Sequence, residues 1–177
     1  MKKVLYLATL LFAAVLTSCE KEEVGNTNTV SLAGQWYVTV DAADESGNVV
    51  EGFEDLFGLG RHLLVTSNTA ANTPNEMIID DLSNFWAYRV KVTCDVNTLT
   101  FASGSQTVPN LSPDGDPIEV TISNGKIVKD GGVQNNGSKA DYIEFYVSFS
   151  DDGYPAKYGY KNYKVSGIRY SGLAEND

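Results

Sequence analysis

The sequence predicts an all-β domain, an antiparallel barrel of about eight to nine strands, behind an export signal and a short acidic tether. From Gln35 onward, apolar and polar residues alternate with the period of two that a half-buried strand imposes, and helical periodicity is nearly absent. Clusters of Gly, Asn, Asp and Pro interrupt this alternation and supply turns. Short antiparallel strands separated by such turns are typical of a closed barrel or a sandwich.

Residues 1–18 have the pattern of a bacterial lipoprotein signal peptide. Lys2 and Lys3 precede an apolar run from Val4 to Leu16, which is too short to span a bilayer and therefore indicates a cleaved export signal. The run leads into Leu-Thr-Ser-Cys, which ends at Cys19 and resembles the bacterial lipobox. The resemblance implies that Cys19 becomes the lipid-attachment residue, with a glyceryl-linked pair of chains and usually a third chain such as palmitate. Two or more acyl chains anchor a protein stably to a membrane.

A lipidated flexible tether over residues 19–30 is expected next, because this stretch has few apolar residues. Its first residues, Glu20-Lys21-Glu22-Glu23, resemble the short tag of Gram-negative bacteria that display lipoproteins on the outer face of the outer membrane. An ordinary solvated acidic tether on the periplasmic face is the alternative. Residues 31–174 then form one predicted domain, the barrel.

The charge and the cysteine count exclude several classes of partner and fold. The chain has 23 acidic and 13 basic residues, and loss of two lysines with the signal leaves a net charge of about −12. This balance argues against nucleic acid and against electrostatic binding to anionic headgroups, because both need clustered Lys or Arg. With Cys19 acylated, Cys94 is the only thiol and no disulfide can form within the chain. Cys94 is predicted to be a small buried residue.

The alternation predicts nine strands, and two of the connections have recognisable turn chemistry. Ser123-Asn124-Gly125-Lys126 predicts a tight hairpin, because Asn-Gly supplies the positive φ angles of a primed turn. Asp95-Val96-Asn97 joins two strands so closely that it also predicts a hairpin. Residues Gly52–Gly60 have room for one helical turn that acts as a lid or plug. The predicted strands are Gln35–Asp41, Arg61–Ser67, Glu76–Asp80, Trp86–Asp95, Thr98–Ala102, Ile118–Ser123, Lys126–Lys129, Tyr142–Ser150 and Tyr163–Tyr170.

The motif Gly34-Gln35-Trp36 on the first strand and Arg169 on the last strand resemble the signature of calycins, the barrel group that includes lipocalins. The resemblance implies that the Arg169 side chain packs over the Trp36 ring and closes the base of the barrel. The order of lipobox, acidic tether, Gly-Gln-Trp-Tyr-Val, a central Asn-Phe-Trp and a Tyr-rich C-terminus resembles a lipoprotein family described as lipid-binding putative hydrolases. That resemblance implies a calycin-like barrel and an apolar ligand, and no catalytic motif of the family can be matched to this chain.

The residues themselves offer little catalytic or metal-binding chemistry. His62 is the only histidine, and no Gly-x-Ser-x-Gly motif accompanies it, so a surface or cap histidine is favoured over a triad member. Asp114-Gly115-Asp116 and Asp151-Asp152-Gly153 do not have the spacing of a calcium loop and are typical of turns. We therefore predict no catalytic residue, no metal site and no cofactor.

These observations predict an outer-membrane-anchored lipoprotein, exposed on the cell surface, that binds a small hydrophobic or amphipathic ligand in its barrel. One alternative is a surface glycan-binding or assembly accessory module whose Tyr-rich loops contact a glycan or protein partner. Another is a weak esterase-type hydrolase. A filled core and a ligand-lined cavity have the same alternating apolar face, so the sequence does not show whether the barrel is hollow. The predicted ligand-binding residues are Trp86, Tyr88, Val90, Phe145, Val147 and Tyr158, and those predicted to close the barrel are Gly34, Trp36 and Arg169.

Overall fold

The computed structural model describes residues Gly25–Asn176, which form one nine-stranded antiparallel sheet with two short helical turns. The predicted export signal at 1–18, the lipid attachment at Cys19 and the acidic residues 20–23 lie outside the described residues. Among the described residues, no helix has the length and hydropathy to cross a bilayer. The elements are β1 (Gly34–Ala43), β2 (His62–Asn68), β3 (Glu76–Asp80), β4 (Arg89–Asp95), β5 (Thr100–Ala102), β6 (Val108–Pro109), β7 (Glu119–Val133), β8 (Lys139–Phe149), α1 (Tyr154–Tyr158), β9 (Asn162–Arg169) and a 3₁₀ turn, η1 (Ala174–Asn176).

The sheet closes on itself because β5 pairs with β7. The strand order is β5-β4-β3-β2-β1-β9-β8-β7-β6, and the registers Thr100↔Lys126 and Phe101↔Gly125 join its two sides. Eight strands therefore make a closed antiparallel barrel, and β6 is an additional short strand paired with the start of β7. The predicted all-β barrel of eight to nine strands is confirmed.

The hairpin predicted at Asn124-Gly125 is wrong, because the chain continues through these residues as one strand, β7. Asn124 has a φ of 51°, and the register of β7 on β8 shifts between Ser123 and Lys126. A side chain on Gly125 would overlap the Phe101 ring, so only glycine lets β5 approach β7 this closely. The Asn-Gly pair thus makes a bulge that closes the barrel, whereas the β7–β8 turn lies at residues 134–138, where Gly137 has a φ of 85°.

The start of β4 and the segment at residues 52–60 also differ from the prediction, and one hairpin agrees with it. β4 begins at Arg89 and not at Trp86, because Ala87 has a φ of 48° and interrupts the extended chain. Residues 52–60 form turns without a helix, and α1 was not predicted. The β4–β5 hairpin is confirmed by the register Asp95↔Thr100. Cys94 is only partly buried, with its thiol directed at the Pro74 carbonyl oxygen 3.7 Å away.

Side chains fill the interior of the barrel. Alternate residues of the eight barrel strands form one continuous buried cluster with side chains that are at most 6 % exposed. An eight-stranded barrel is just wide enough to be filled in this way. The depressions on the described surface open to solvent, such as one of about 540 Å³ over β4, β5 and β7. The largest interior residues are Trp36, Leu64, Met77, Ile79, Tyr88, Ile122, Ile143, Phe145 and Tyr163.

The base of the barrel is the end at which β1 begins and β9 ends, and Arg169 closes it. The Arg169 Cζ atom lies 4.4 Å from the centroid of the Trp36 ring, which is a cation–π contact. The guanidinium also donates to the Ala33 carbonyl oxygen at 2.8 Å and to Asp141 Oδ2 at 3.1 Å. On the other side, Trp36 Nε1 donates to Thr66 Oγ1 at 2.9 Å.

Gly34 makes room for this arrangement. A Cβ atom on Gly34 would overlap the Nη1 atom of Arg169, which is held between the Trp36 ring, Ala33 and Asp141. The glycine and the tryptophan of Gly-x-Trp are thus tied to the same arginine. A larger residue at position 34 or a smaller one at position 36 would therefore disturb the same contact with Arg169.

Gly34→Ala should lower the free energy of unfolding by about 1–3 kcal/mol, as overpacking of a rigid contact does. Urea denaturation measures this loss. Gln35→Ala, at an exposed neighbouring position, is the matched control and should change stability by less than about 0.5 kcal/mol. Equal stability of the two variants would show that the Arg169 position is not constrained.

The base should also be sensitive to acid. Partial burial acts to raise the pKa of Asp141, but the hydrogen bond from Lys129 and the charges of Lys129 and Arg169 outweigh it and hold the pKa below its ordinary value. A lowered pKa in the folded state contributes stability above the unfolded pKa and loses it as pH falls. Stability should therefore decline as pH drops below about 4, and Asp141→Asn should flatten this decline in unfolding curves measured across pH. If the stability of the variant declined with falling pH as steeply as that of the wild type, the lowered pKa of Asp141 would not be the cause.

Candidate ligand-binding site

The end opposite the base carries a group of aromatic side chains, which we call the aromatic end. Three connections bring these rings together: residues 44–61 between β1 and β2, residues 81–88 between β3 and β4, and residues 150–161 between β8 and β9. Adjacent antiparallel strands return to the same end of a barrel, so connections far apart in sequence meet there. The rings of the aromatic end are Phe53, Phe57, Phe85, Trp86, Tyr154 and Tyr158.

Phe57 lies at the centre of the aromatic end. Its ring centroid is 5.5 Å from those of Phe85 and Tyr154, 5.8 Å from that of Tyr163 and 6.1 Å from that of Trp86. These separations and the tilted or edge-on ring angles are those of favourable aromatic pairs. Phe57 therefore links all three connections and covers the top of the core.

Trp86 extends from the core to the surface. Its ring stacks on the Phe149 ring at 4.7 Å with an interplanar angle of 5°. Its indole Nε1 donates to Asp151 Oδ1 at 3.2 Å, which ties the β3–β4 connection to the β8–β9 connection. Trp86 as a whole is partly exposed. Trp86 can thus present an apolar surface to a ligand without leaving its packed position.

The buried carboxylate of Asp81 organises the β3–β4 connection. It is 1 % exposed and accepts four backbone hydrogen bonds, from Ser83 and Tyr88 to Oδ1 and from Phe85 and Trp86 to Oδ2, at 2.8–3.1 Å. Burial raises the pKa of this carboxyl, and the four donors oppose the rise. Positive φ angles at Leu82, Ser83 and Ala87 prevent a regular strand here. The backbone N–H groups of this connection therefore cannot form strand hydrogen bonds, and they use the carboxylate as their acceptor.

Two tyrosines on α1 form the most exposed part of the aromatic end. Pro155 occupies the first turn of this helix, and Gly159 ends it in the left-handed conformation. Tyr154 and Tyr158, four residues apart, are 41 % and 42 % exposed, and their rings are parallel within 9° at a centroid separation of 5.9 Å. The Lys157 amino group lies 4.8 Å from the Tyr158 ring centroid.

A buried hydrogen-bond chain holds α1 against the barrel. The Tyr163 hydroxyl donates to Asp152 Oδ2 at 2.6 Å and lies 2.7 Å from the Tyr160 hydroxyl. Burial and the bond to Asp152 raise the pKa of Tyr163 far above its ordinary value, so this hydroxyl stays protonated. The α1 tyrosines are therefore presented from a rigid support.

Residues 21–174 match the family described as "Lipid-binding putative hydrolase". The chain belongs to this family. No curated protein matches the chain. Together, the family and the barrel fold support a lipid-binding function. At the aromatic end, the exposed apolar residues include Tyr154 and Tyr158.

The predicted ligand-binding residues of this family member separate into two groups. Trp86 and Tyr158 lie at the aromatic end and have exposed ring surface. Tyr88, Val90, Phe145 and Val147 are at most 1 % exposed and pack inside the barrel. The residues predicted to close the barrel lie at the base, where Arg169 packs over Trp36 beside Gly34. The predicted ligand-binding residues did not include the other four rings of the aromatic end, Phe53, Phe57, Phe85 and Tyr154, although the glycine-rich segment with two phenylalanines indicated a structured loop.

The family description also names a hydrolase, and the described residues offer no catalytic arrangement for it. His62 Nδ1 lies 3.3 Å from the Gly60 carbonyl oxygen, and the described contacts pair it with no serine or carboxylate. Within residues 25–176, no group of His, Cys, Asp and Glu side chains is placed to hold a metal ion.

Asp81→Asn should unfold the β3–β4 connection. The new amide nitrogen would face backbone N–H groups that now donate to a carboxylate, and the expected loss is about 2–4 kcal/mol. Hydrogen exchange at the Phe85 and Trp86 amides measures the local opening, and urea denaturation measures the total loss. Asp80→Asn is the control, because Asp80 pairs with an exposed Arg89 and should contribute less than about 1 kcal/mol. Equal effects in the two variants would argue against the organising role of Asp81.

Proposed function

We propose that this protein is an outer-membrane-anchored lipoprotein, displayed on the cell surface, that binds a lipid-like amphiphile at its aromatic end. The contrast in exposure between the two parts of the barrel supports this site. Interior side chains are at most 6 % exposed, whereas Tyr154, Tyr158, Leu82 and Leu111 are 41–50 % exposed at the aromatic end. A ligand therefore meets apolar surface at this end without displacing the core.

Packing in the core gives a physical reason to prefer this surface to the interior. Inserting an acyl chain would require several of the close-packed residues to move, and each displaced side chain loses its contacts. At the aromatic end, a chain lies against rings that are already positioned by Phe57 and Asp81. Tyrosine and tryptophan suit such a site because each has an apolar ring and a polar group.

Charge around the site indicates which amphiphiles bind. The connections at the aromatic end, residues 44–61, 81–88, 103–118 and 150–161, contain ten acidic residues and three basic ones. An anionic headgroup would be repelled there. We expect neutral or zwitterionic single-chain lipids to bind more tightly than free fatty acids at neutral pH.

The membrane anchor rests on the sequence pattern. The lipobox ending at Cys19 supports acylation, and the residues Glu20-Lys21-Glu22-Glu23 support display on the outer face of the outer membrane. Mass spectrometry of the protein extracted from membranes tests the acylation of Cys19, and surface proteolysis of whole cells tests the display. A mature N-terminus without acyl chains would refute the anchor.

A second candidate ligand is a glycan, and one observation favours it. The parallel, exposed rings of Tyr154 and Tyr158 offer a surface of the kind that sugar rings stack on. Glycan binding would depend on both tyrosines and would not require an apolar chain on the ligand. A soluble oligosaccharide that competes with a lipid for the site would support this second ligand class.

Tyr158→Ala should weaken binding of a lysophospholipid by about three- to tenfold, since it removes exposed ring contact. Binding is measured by titration calorimetry on the chain from residue 20, which retains all described residues. The free energy of unfolding should change by less than about 0.5 kcal/mol. Val147→Ala is the opposite control: stability should fall by about 1–3 kcal/mol while affinity stays the same. Weakened binding only in the Val147 variant would place the ligand inside the barrel.

A further inference from the structure

The two ends of the barrel differ sharply in charge. The connections at the base are residues 25–33, 69–75, 96–99, 134–138 and 170–176, and among these described residues Glu175 is the only charged one. They consist largely of Asn, Thr, Ser, Gly and Ala. The connections at the aromatic end contain ten acidic and three basic residues. The connections are therefore strongly acidic at one end of the barrel and nearly uncharged at the other, where the charged groups Lys129, Asp141 and Arg169 lie on strands and pair with one another.

The base also exposes aliphatic side chains. Val30 is 49 % exposed, Leu173 is 51 % exposed and Val133, at the end of β7, is 65 % exposed. Hydrogen bonds from Asn135 and Asn136 to Asn176 hold the β7–β8 turn beside the C-terminal segment that contains Leu173. Val133 and Leu173 thus lie on two segments that are joined to each other at the base. We call Val30, Val133 and Leu173 the base patch.

The N-terminal segment fixes which end lies near the predicted anchor. The Asn28 backbone N–H donates to Asn72 Oδ1 at 2.9 Å, and its side chain donates to the Asn72 carbonyl oxygen, so this residue is held at the base. Nine residue steps separate Cys19 from Asn28, and such a chain reaches at most about 30 Å. Presenting the opposite end to the membrane would require this segment to run almost straight along the full barrel wall, at a large cost in conformational entropy.

We propose that the base patch rests on the bilayer that holds the Cys19 acyl chains, so that the aromatic end points away from that membrane. This inference rests on the anchor of the proposed function. An anionic membrane surface repels the acidic connections of the aromatic end and tolerates the nearly uncharged connections of the base. The short tether keeps the base patch at a high local concentration near the bilayer, so three aliphatic side chains suffice to bias the orientation.

This orientation has a consequence for the ligand. The aromatic end faces the aqueous side, so the protein takes its amphiphile from solution or from a partner on that side. It does not extract the amphiphile from the membrane that anchors it. The base patch and the ligand site therefore act independently.

Fluorescence quenching by lipids distinguishes the two ends. A fluorophore is attached to Val133→Cys or to Leu82→Cys in the acylated full-length protein, each in a Cys94→Ser background. The proteins are placed in vesicles of phosphatidylethanolamine and phosphatidylglycerol with a nitroxide on a fraction of the headgroups. We expect quenching at position 133 to exceed quenching at position 82 at least threefold. Equal quenching, or stronger quenching at position 82, would overturn the proposal.

A second set of variants tests the patch itself. Val30→Ser with Leu173→Ser should reduce quenching at position 133 at least twofold, whereas the matched pair Leu82→Ser with Leu111→Ser should leave it unchanged. An unchanged signal in the first pair would overturn the role of the base patch. Flotation of the vesicles is measured first: protein that does not float refutes the anchor and this inference together, whereas floating protein with a reversed quenching pattern refutes only this inference.

Discussion

The width of an eight-stranded ring is the constraint on which the rest of this structure depends. A barrel of this size encloses little more than its own side chains. Here, the four largest side chains in that space are Trp36, Tyr88, Phe145 and Tyr163, and each is at most 1 % exposed. The interior thus supplies stability, and ligand contacts are left to the connections. This separation explains why the accessible apolar residues of a lipid-binding family member lie at the ends of the barrel and not in its interior.

Each end is held by one polar group that satisfies several partners at once. At the base, Arg169 joins the Trp36 ring, the Ala33 carbonyl and Asp141. At the aromatic end, the Asp81 carboxylate accepts four backbone N–H groups and positions Phe85 and Trp86. The Asp81 carboxylate replaces backbone hydrogen bonds that a regular strand would have made, and its loss would leave four backbone N–H groups without this acceptor.

Much of the fold follows from period-two alternation, because a strand with one buried face must alternate. β3 matches its predicted range, and Arg169 over Trp36 follows from the calycin resemblance. The Asn124-Gly125 bulge could not be distinguished from a hairpin, because both use a positive φ and only the distant Phe101 decides between them. Likewise, Trp86 continues the alternation of β4 in sequence, and only the buried Asp81 carboxylate draws it into a loop. The contacts that decide these positions are non-local, so local pattern cannot predict them.

The account depends most on where the ligand contacts the barrel. Two-dimensional NMR of the labelled domain, titrated with a lysophospholipid, compares the two locations in one experiment. The account predicts shifts of the Trp86 indole and of the Tyr154 and Tyr158 rings, with the methyl signals of Ile143 and Val147 unchanged. Intermolecular NOEs from the acyl chain to the Ile143 or Val147 methyl groups would contradict it, because they would show that the interior opens to hold the ligand.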